Sequence, residues 1–406
     1  MNLKKISFYT IAAAILVCSL DSCNHKKIDP VEIPATVLSD PESANSYIAC
    51  YIGQKYAFRA DVKGNGMPTA SGSLEDVSIT LPANATISVL WQYPADAQLI
   101  YNIGYDKGSK NIVFNTTGLE GNVIIGIFED KNGNGTWNSD GSEPIVWSWH
   151  IWCTYYDPNA EGGYHIYSHP DLKGTKSMDR NLGAFINTPG GLLEENILAS
   201  EGLNYQFGRK DPFIPLGSLQ NYGTDEIPVY ERMRTAPDDV WRYEDKASSV
   251  NMDYAVKHPT TLITNEQNWL LGENNAEAWG YREGNSYRKT IYDPCPPGWR
   301  VPDSAVYKGI VDNPAMISGA DKIQSQFGAY YIYNADKNKT FIPASGYIIT
   351  NDNDLRVGMA GRKAYLLTSD SHQNTSAYKF FIDAEGCGYE ISAMTETANI
   401  RCVANE

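Results

Sequence analysis

Residues 144–158, PIVWSWHIWCTYYDP, contain the clearest strand pattern in the chain. Successive side chains of a strand point to opposite faces. One face of this run is apolar and carries Trp147, Trp149, Ile151 and Cys153. The other face mixes polar groups with one indole and carries Ser148, His150, Trp152 and Thr154. The pattern predicts a strand at the point where the composition of the chain changes.

Before this run, short segments rich in Val, Ile, Tyr and Thr follow one another at intervals of ten or so residues. They are SYIACYI (46–52), KYAFRADV (55–62), SLEDVSITL (73–81), TISVLWQY (86–93), LIYNIGY (99–105), NIVFNT (111–116) and NVIIGIF (122–128). Gly, Asn, Asp or Pro bounds each segment. This rhythm is typical of an antiparallel β-sandwich, which we place at residues 36–146.

After the run, strand-like segments become sparse, and long irregular stretches predict a loop-rich second domain at residues 147–406. Short helices are expected around Leu192–Ser200, around Glu266–Leu271 and after Asp303. Asp303 has the chemistry of an N-cap, and that helix should end before Pro314. The expected fold class is mainly β with an α+β C-terminal half.

The N-terminus has a short basic head, an apolar run from Ile6 to Leu20, and then LDSC (20–23). The run is too short for a membrane span and has the length of a signal-peptide core. The residues LDSC resemble a bacterial lipobox, with Asp21 in place of the usual small apolar residue. Residues 1–22 are therefore interpreted as a lipoprotein signal peptide, with Cys23 as the acylated lipid anchor and residues 23–35 as a tether. The alternative is a simply cleaved secretory signal followed by a chance cysteine.

The chain has 33 basic and 48 acidic side chains and a formal charge of −15. Removal of residues 1–22 takes away Lys4, Lys5 and Asp21, which leaves a charge of −16. Because nucleic-acid binding depends on cationic side chains that replace counterions, nucleic acid is excluded as a partner. The 27 Tyr, 9 Trp, 34 Gly and 21 Pro instead favour an extracytoplasmic, loop-rich β protein.

Besides Cys23, the mature chain has Cys50, Cys153, Cys295, Cys387 and Cys402. Because five is an odd number, these cysteines can form at most two disulfides in an oxidising compartment, and one thiol is left over. The spacing contains no Cys-x-x-Cys pair and no Cys/His cluster typical of zinc.

Five blocks of the second half resemble one family. They are MDRNLGA (178–184), YQFGRKDPF (205–213), DPCPPGWRVP (293–302), FIPASGY (341–347) and NIRCV (399–403). In this order they are similar to the Fibrobacter succinogenes major paralogous domain, which occurs in surface lipoproteins and fimbria-associated proteins of Bacteroidetes-type bacteria. The run from SANSYIACYIGQKYAF (43–58) into WSWHIW (147–152) resembles the fimbrillin-like β-sandwich that precedes this domain in many such proteins.

The resemblance implies a C-type lectin-like fold for residues 147–406 and a disulfide between Cys295 and Cys402. The alternative for these cysteines is two buried free thiols. AYLLTSD (364–370) departs from the family pattern, which has Trp and Ser where Leu366 and Leu367 stand. The short motifs by which C-type lectins coordinate calcium and sugar are absent, so calcium-dependent sugar binding does not follow from the fold.

Residues 129–143, EDKNGNGTWNSDGSE, place oxygen side chains at alternating positions. The candidate calcium ligands are Asp130, Asn132, Asn134, Thr136 and Asp140. This spacing is similar to that of a calcium loop, although Gly141 occupies the position of the usual bidentate Glu. The alternative is a polar, Gly-rich hairpin without a metal. Calcium is the one cofactor that the sequence suggests.

The sequence contains no nucleophile or phosphate-binding motif, and its histidines are scattered. A copper enzyme related to the formylglycine-generating enzymes would need Cys387 and Cys402 as a pair, which a bond between Cys295 and Cys402 would exclude. We therefore expect no catalytic residues. The exposed aromatic groups that a binding module needs could come from Trp241, Trp279 and Tyr281, although such rings also fill cores.

The expected protein is a non-enzymatic, lipid-anchored component of the outer membrane that acts in adhesion or recognition at the cell surface. Its expected partners are the membrane lipid through Cys23 and either a protein, with fimbrial subunits first, or a host or environmental glycan. The alternative function is a glycan-binding lipoprotein of a polysaccharide uptake system.

Overall fold

The run at 144–158 forms strand Ile145–Cys153 in a computed structural model of the protein. The structure describes residues 34–67, 77–172, 174–191, 193–215, 227–228, 242–244, 251–264, 268–270, 277–284, 286–351 and 354–405. The structure is mainly β, with 39% strand and 11% helix, which confirms the expected mainly-β class. Within the described residues, no helix has the length and apolar character needed to cross a membrane.

The described residues of the first half form eight strands. They are β1 (Thr36–Val37), β2 (Ser46–Ile48), β3 (Lys55–Arg59), β4 (Ala85–Tyr93), β5 (Ile100–Asp106), β6 (Asn111–Thr116), β7 (Gly121–Glu129) and β8 (Ile145–Cys153). One sheet has the order β1-β3-β6-β5 and the other the order β2-β8-β7-β4. The run at 73–81 contributes only an isolated bridge between Val62 and Ser78 in its described part.

Two pairings in these sheets are parallel, β1 with β3 and β2 with β8, so the sheets are not antiparallel throughout. Along the chain, β2 comes between β1 and β3, but it belongs to the other sheet. The connection from β1 to β3 is therefore a crossover, and crossovers permit parallel pairing where hairpins do not.

Side chains from both sheets form one buried cluster. Tyr47 of β2 stacks on Phe58 of β3 with ring centroids 4.8 Å apart, and Phe58 lies 5.3 Å from Trp149 of β8. Trp147, Trp149, Ile151 and Cys153 all belong to this cluster, which confirms the predicted apolar face of the strand.

The second face of β8 is covered as well. Trp152 belongs to a different cluster, whose members include Met178 and Tyr205 of the second half. Coverage on both faces explains why the strand is aromatic on both sides. The expected domain boundary between residues 146 and 147 falls inside β8, and Ala35–Glu406 forms one compact unit.

A layer of buried polar side chains joins the first half to the second. Asn45 donates from Nδ2 to the carbonyls of residues 291 and 293, at 2.7 and 2.9 Å, and Ser46 donates to that of residue 294 at 2.6 Å. Asn122 donates to the carbonyl of residue 183 at 3.0 Å. His150 lies between Ser46 Oγ (3.0 Å) and Asn122 Oδ1 (2.9 Å).

The described residues of the second half also form strands, most of them short. They are β9 (Tyr164–Ile166), β10 (Lys176–Met178), β11 (Asn204–Gln206), β12 (Ile227–Pro228), β13 (Arg242–Glu244), β14 (Thr261–Ile263), β15 (Gly280–Glu283), β16 (Ser286–Lys289), β17 (Trp299–Arg300), β18 (Ile317–Ser318), β19 (Gly328–Ile332), β20 (Lys339–Pro343), β21 (Tyr347–Asn351), β22 (Asp354–Gly358), β23 (Ala364–His372), β24 (Ser376–Asp383), β25 (Gly386–Ser392), β26 (Thr397–Asn399) and β27 (Val403–Ala404).

Two of their sheets are central to the second half, with the orders β17-β27-β10-β9 and β11-β26-β23-β24-β25. Smaller sheets have the orders β12-β22-β21 and β18-β19-β20, and β13-β14 and β15-β16 form pairs. Strands β17 and β27 bring the segment around Cys295 next to the end of the chain.

The described helices are short. They are α1 (Glu194–Glu201), α2 (Met252–Lys257), α3 (Lys308–Asp312) and α4 (Ile323–Gln326), with 3-10 turns at Ser304–Val306, Pro314–Met316 and Ala320–Lys322. Helix α1 agrees with the prediction from Glu194 onward. Leu193 is its extended N-cap, and Leu192 lies outside the described residues. The helix expected at Glu266–Leu271 is not present in its described residues 268–270, which form no regular structure.

The helix after Asp303 ends before Pro314 as predicted, but the predicted cap is wrong. The Asp303 carboxylate accepts bonds from Arg282 (2.6 Å) and Arg300 (3.5 Å) instead. The first amide, that of Ser304, donates to Asp370 Oδ2 at 2.6 Å. The two arginines occupy the Asp303 carboxylate. The amide of Ser304 is therefore capped by Asp370, 66 positions further along the chain.

Candidate ligand groove

A groove of about 640 Å³ separates the start of the first half from the proline-rich segment that precedes Trp299. Three stretches of chain line it, and many of their lining side chains are tyrosines or prolines. They are 36–56, 154–159 and 296–299. A volume of this size is within the range of small-molecule and peptide sites.

Tyr51 and Tyr155 form the outer rim of the groove. Their side chains are 68% and 54% exposed, and their rings meet edge to face with centroids 5.8 Å apart. The Tyr155 hydroxyl donates to the carbonyl of Gly118 at 3.0 Å, which fixes the ring in place. Two exposed tyrosine rings, of which Tyr155 is held by its hydroxyl, offer contact area at a small cost in side-chain entropy.

The opposite wall is the segment around Cys295, and buried polar groups hold it. The Asp293 carboxylate accepts from the amides of Cys295 (2.7 Å) and Val301 (2.8 Å), and burial raises its pKa to about 6. Lys289, also buried, donates from Nζ to the carbonyls of Cys295 and Pro296 at 3.0 and 3.1 Å. The wall therefore has a fixed shape.

Gly298 links this wall to the first half. Its amide donates to Glu42 Oε2 at 2.7 Å, and its φ of +77° is a conformation that L side chains rarely adopt. The turn at Gly298 places Trp299 in the interior, where the indole is buried. This turn explains the Gly-Trp pair that follows the prolines.

The sulfurs of Cys295 and Cys402 are 2.09 Å apart, so the predicted disulfide is present. It ties the groove wall to the last strands of the chain, and both cysteines are fully buried. The other described cysteines, Cys50, Cys153 and Cys387, are not disulfide-bonded. Burial raises the pKa of the Cys50 thiol to about 11, which keeps this thiol of the groove protonated at neutral pH.

The polar groups of the groove are carboxylates, side-chain amides and the hydroxyls of Thr and Tyr. Glu42 and Asp157 contribute carboxylates, and Gln54 and Asn159 contribute amides. Among the described residues that line the groove, none is Lys or Arg. The groove thus suits an uncharged or cationic ligand that packs on tyrosine rings.

The aromatic residues predicted to bind a ligand lie elsewhere. Trp279 is buried in the core, where its Nε1 donates to the carbonyl of Arg209 at 2.9 Å and its ring packs 5.2 Å from Phe207. Its prediction as an exposed platform is wrong, because the YQFGRKDPF loop covers it. Tyr281 is half-buried on the hairpin β15-β16, and Trp241 lies outside the described residues.

The predicted calcium loop is organised around Glu143, which is buried. Its carboxylate accepts from the amides of Lys131 (3.1 Å), Asn132 (3.2 Å) and Asn138 (3.1 Å). Asp130 likewise accepts from the amides of Asn134 (3.2 Å) and Gly135 (2.8 Å).

Two more of the predicted ligands bind within the same loop. The amide of Thr136 donates to Asn134 Oδ1 at 2.8 Å, and Asp140 accepts from the Asn138 side chain at 2.9 Å. In the described part of the chain, no three His, Cys, Asp or Glu side chains form a group that could hold a metal ion. Calcium binding, which would also use Asn and Thr oxygens, stays a prediction.

A buried polar cluster at the junction of the halves has the residue types of a nucleophilic dyad. Lys210 Nζ lies 2.5 Å from Ser148 Oγ and 2.7 Å from Asp211 Oδ1. The Ser148 hydroxyl itself donates to Asp211 at 2.6 Å, and all three side chains are buried. Burial lowers the pKa of Lys210, but the cluster does not line the groove. Its geometry is that of an internal ion pair.

Tyr51 and Tyr155 are not among the predicted site residues, although both lie in segments with a strand pattern. Tyr51 is the last but one residue of SYIACYI, and Tyr155 follows the last residue that alternation assigns to a face in PIVWSWHIWCTYYDP. The signal was the excess of aromatic residues at the strand ends. Only the pairing of β2 with β8 brings the two rings together.

No family model matches this chain, and neither the curated proteins nor the solved structures include a match to it.

Proposed function

We propose that the chain is a lipid-anchored cell-surface protein of adhesion or recognition, without catalytic activity, that binds its partner in the groove. The observation that carries the proposal is the pair of exposed tyrosine rings opposite a wall fixed by a disulfide. A fixed groove with an aromatic rim loses little conformational entropy when it binds a ligand.

The lipid anchor at Cys23 and the location in the outer membrane belong to the same proposal. They rest on the sequence LDSC and the apolar run before it, which lie outside the described residues. Membership of the major paralogous family, with its lectin-like fold, is also proposed. The bond between Cys295 and Cys402, which lie in two of the family-like blocks, supports it.

The first candidate partner is a protein, with fimbrial subunits foremost. Tyrosine is enriched at the centres of protein interfaces, where a few residues carry most of the binding energy. The second candidate is a neutral glycan, which would make the protein a glycan-binding component of a polysaccharide uptake system. Asp157 and Asn159 beside the rim favour it, because their oxygen and amide groups suit sugar hydroxyls.

The test compares three variants, Tyr51→Ala, Tyr155→Ala and the control Tyr281→Ala, on a glycan array and in pull-downs with fimbrial subunits. Loss of about 1 kcal/mol or more of binding free energy is expected for each rim variant, since both rings would be buried by a ligand. Tyr281→Ala should bind as the parent protein does. Binding that is lost only with Tyr281→Ala would move the site to the hairpin β15-β16 and refute the groove.

A further inference from the structure

Four large apolar side chains are exposed together at one end of the first half. They are Tyr51 (68% exposed), Ile52 (80%), Leu119 (53%) and Tyr155 (54%). Ile52 is the most exposed large apolar side chain of the described residues. A rigid and contiguous apolar surface of this kind marks an interaction site, whereas scattered exposed residues do not. We call this group the apolar end.

Strand directions explain why these residues meet. The connection 49–54 joins β2 to β3, the connection 117–120 joins β6 to β7, and residue 154 follows β8. Because β3 pairs with β6, β7 with β8 and β2 with β8, the two connections and residue 154 lie at the same end of the two sheets. A Cβ built on Gly118 would lie 3.0 Å from Ile52 Cβ and 3.2 Å from the Tyr155 hydroxyl, so the connections touch.

The backbone of the apolar end is held by hydrogen bonds. The turn that presents Ile52 is closed by Gln54 N donating to the carbonyl of Tyr51 at 3.0 Å. Thr116 at the end of β6 anchors it twice, because its carbonyl accepts from Gly53 N (2.9 Å) and its hydroxyl donates to the carbonyl of Tyr51 (2.6 Å). Ile52 therefore points into solvent from a fixed frame.

The described chain also begins at this end. β1 runs parallel to β3, with Thr36 opposite Tyr56, and Gln54 Nε2 donates to Thr36 Oγ1 at 3.0 Å. Cys23 is twelve residues before Ala35. A fully extended chain of that length reaches at most about 40 Å, so a lipid on Cys23 keeps the apolar end close to the bilayer.

We propose that the apolar end docks on the surface of the lipid bilayer, with Ile52 and Leu119 inserted among the acyl chains and Tyr51 and Tyr155 at the headgroup level. That this contact orients the protein on its own membrane rests on the proposed lipid anchor at Cys23. Aliphatic side chains partition into the bilayer in proportion to their area, and tyrosine prefers the interface because one end of its ring is polar.

The charges nearby determine the lipid type. The connections 49–54 and 117–120 and residues 154–157 contain Glu120 and Asp157 but no Lys or Arg. Lys55 follows the first connection at the start of β3, so this end carries two carboxylates and one ammonium group. An acidic protein with this local balance is repelled by anionic headgroups. The apolar end therefore binds zwitterionic phosphatidylcholine membranes in preference to membranes rich in phosphatidylglycerol.

Docking at this end leaves the far part of the groove accessible. β1 leaves the apolar end and β2 returns to it, so Glu42, between them, lies away from the bilayer together with its partner Gly298. The tyrosine rim would then sit at the membrane surface, and a ligand would enter from the Glu42 side.

The experiment measures sedimentation of the mature chain, residues 23–406 with Cys23→Ala, with phosphatidylcholine vesicles. The parent protein should bind without its lipid, and Ile52→Asp and Leu119→Asp should each weaken the partition coefficient about tenfold or more. The matched control is Leu193→Asp, since Leu193 is 61% exposed at the start of α1 and does not belong to the apolar end. It should bind as the parent does.

Other results would overturn the docking. Equal binding by Ile52→Asp and the parent would place the contact elsewhere, and binding that requires phosphatidylglycerol would indicate a basic surface. If vesicle binding is absent but the protein forms dimers that Ile52→Asp dissolves, the apolar end is an interface between two copies. Analytical ultracentrifugation without vesicles identifies that case.

Two readouts separate this inference from the proposed function. Ile52 and Leu119 do not line the groove, so their variants should keep the ligand binding measured with the rim variants. Acylation at Cys23 is read by mass spectrometry of the native protein. An unacylated Cys23 together with vesicle binding would remove the anchor and keep the docking.

Discussion

Replacing both Cys295 and Cys402 by Ala removes the bond that ties the groove wall to the end of the chain. The two residues are 107 positions apart. Chain-entropy theory assigns a cross-link that closes such a loop about 4 to 5 kcal/mol at 25 °C, because the open unfolded chain has more conformations. Substitution of both residues leaves no unpaired thiol at the site. We expect the free energy of unfolding to fall by about this amount.

The assay is urea unfolding followed by circular dichroism and by tryptophan fluorescence, at pH 7 and without reductant. The matched control is Cys387→Ala, which removes a free, half-buried thiol and should change stability by no more than about 1 kcal/mol. Wild-type protein in reductant should unfold as the double variant does, since both sulfurs are buried and become accessible on unfolding. A double variant within about 1 kcal/mol of wild type would refute the entropic account of this bond.

Three further outcomes concern His150, Glu143 and the loop at 129–143. Burial lowers the pKa of His150 to about 3, against about 6.5 when unfolded, so the unfolded chain gains a proton first as the pH falls. Its contribution to stability should drop by about 2 to 3 kcal/mol between pH 6.5 and 4.5, and an unchanged pH slope in His150→Asn would contradict this. Glu143→Gln should cost about 1 to 3 kcal/mol in urea unfolding through weaker bonds to three amides, with Asp140→Asn, which is exposed, as the milder comparison. If the loop binds calcium, isothermal titration should give heat that Asp130→Ala abolishes, and absence of heat in wild type would settle against the metal.

The strand at Ile145–Cys153 shows what could be predicted from sequence. Period-two alternation assigned its apolar face correctly, because that rule needs only neighbouring residues. The domain boundary could not be placed by the same means. The polar residues on the second face of the strand are typical of a solvent-exposed face. In the structure, that face instead contacts groups of the second half more than 60 positions away, such as Asp211.

The same limit applies to the candidate site. The cysteine pairing came from a family resemblance, and the structure has that bond. Trp279 is of a residue type that is common in binding sites. It lies in the core nonetheless, because a distant loop packs over it. The groove requires residues near 36–56, 154–159 and 296–299 to meet, and no local pattern reports such distant contacts.

The polar layer between the halves limits how this chain could be rearranged in evolution. Asn45, Ser46 and Asn122 are satisfied by carbonyls at fixed positions of the second half. A hybrid gene that attached the first half to an unrelated module would bury these groups without acceptors, at about 1 to 3 kcal/mol each. The two halves should therefore be inherited and exchanged as one block, whatever the separate histories of their sequence patterns.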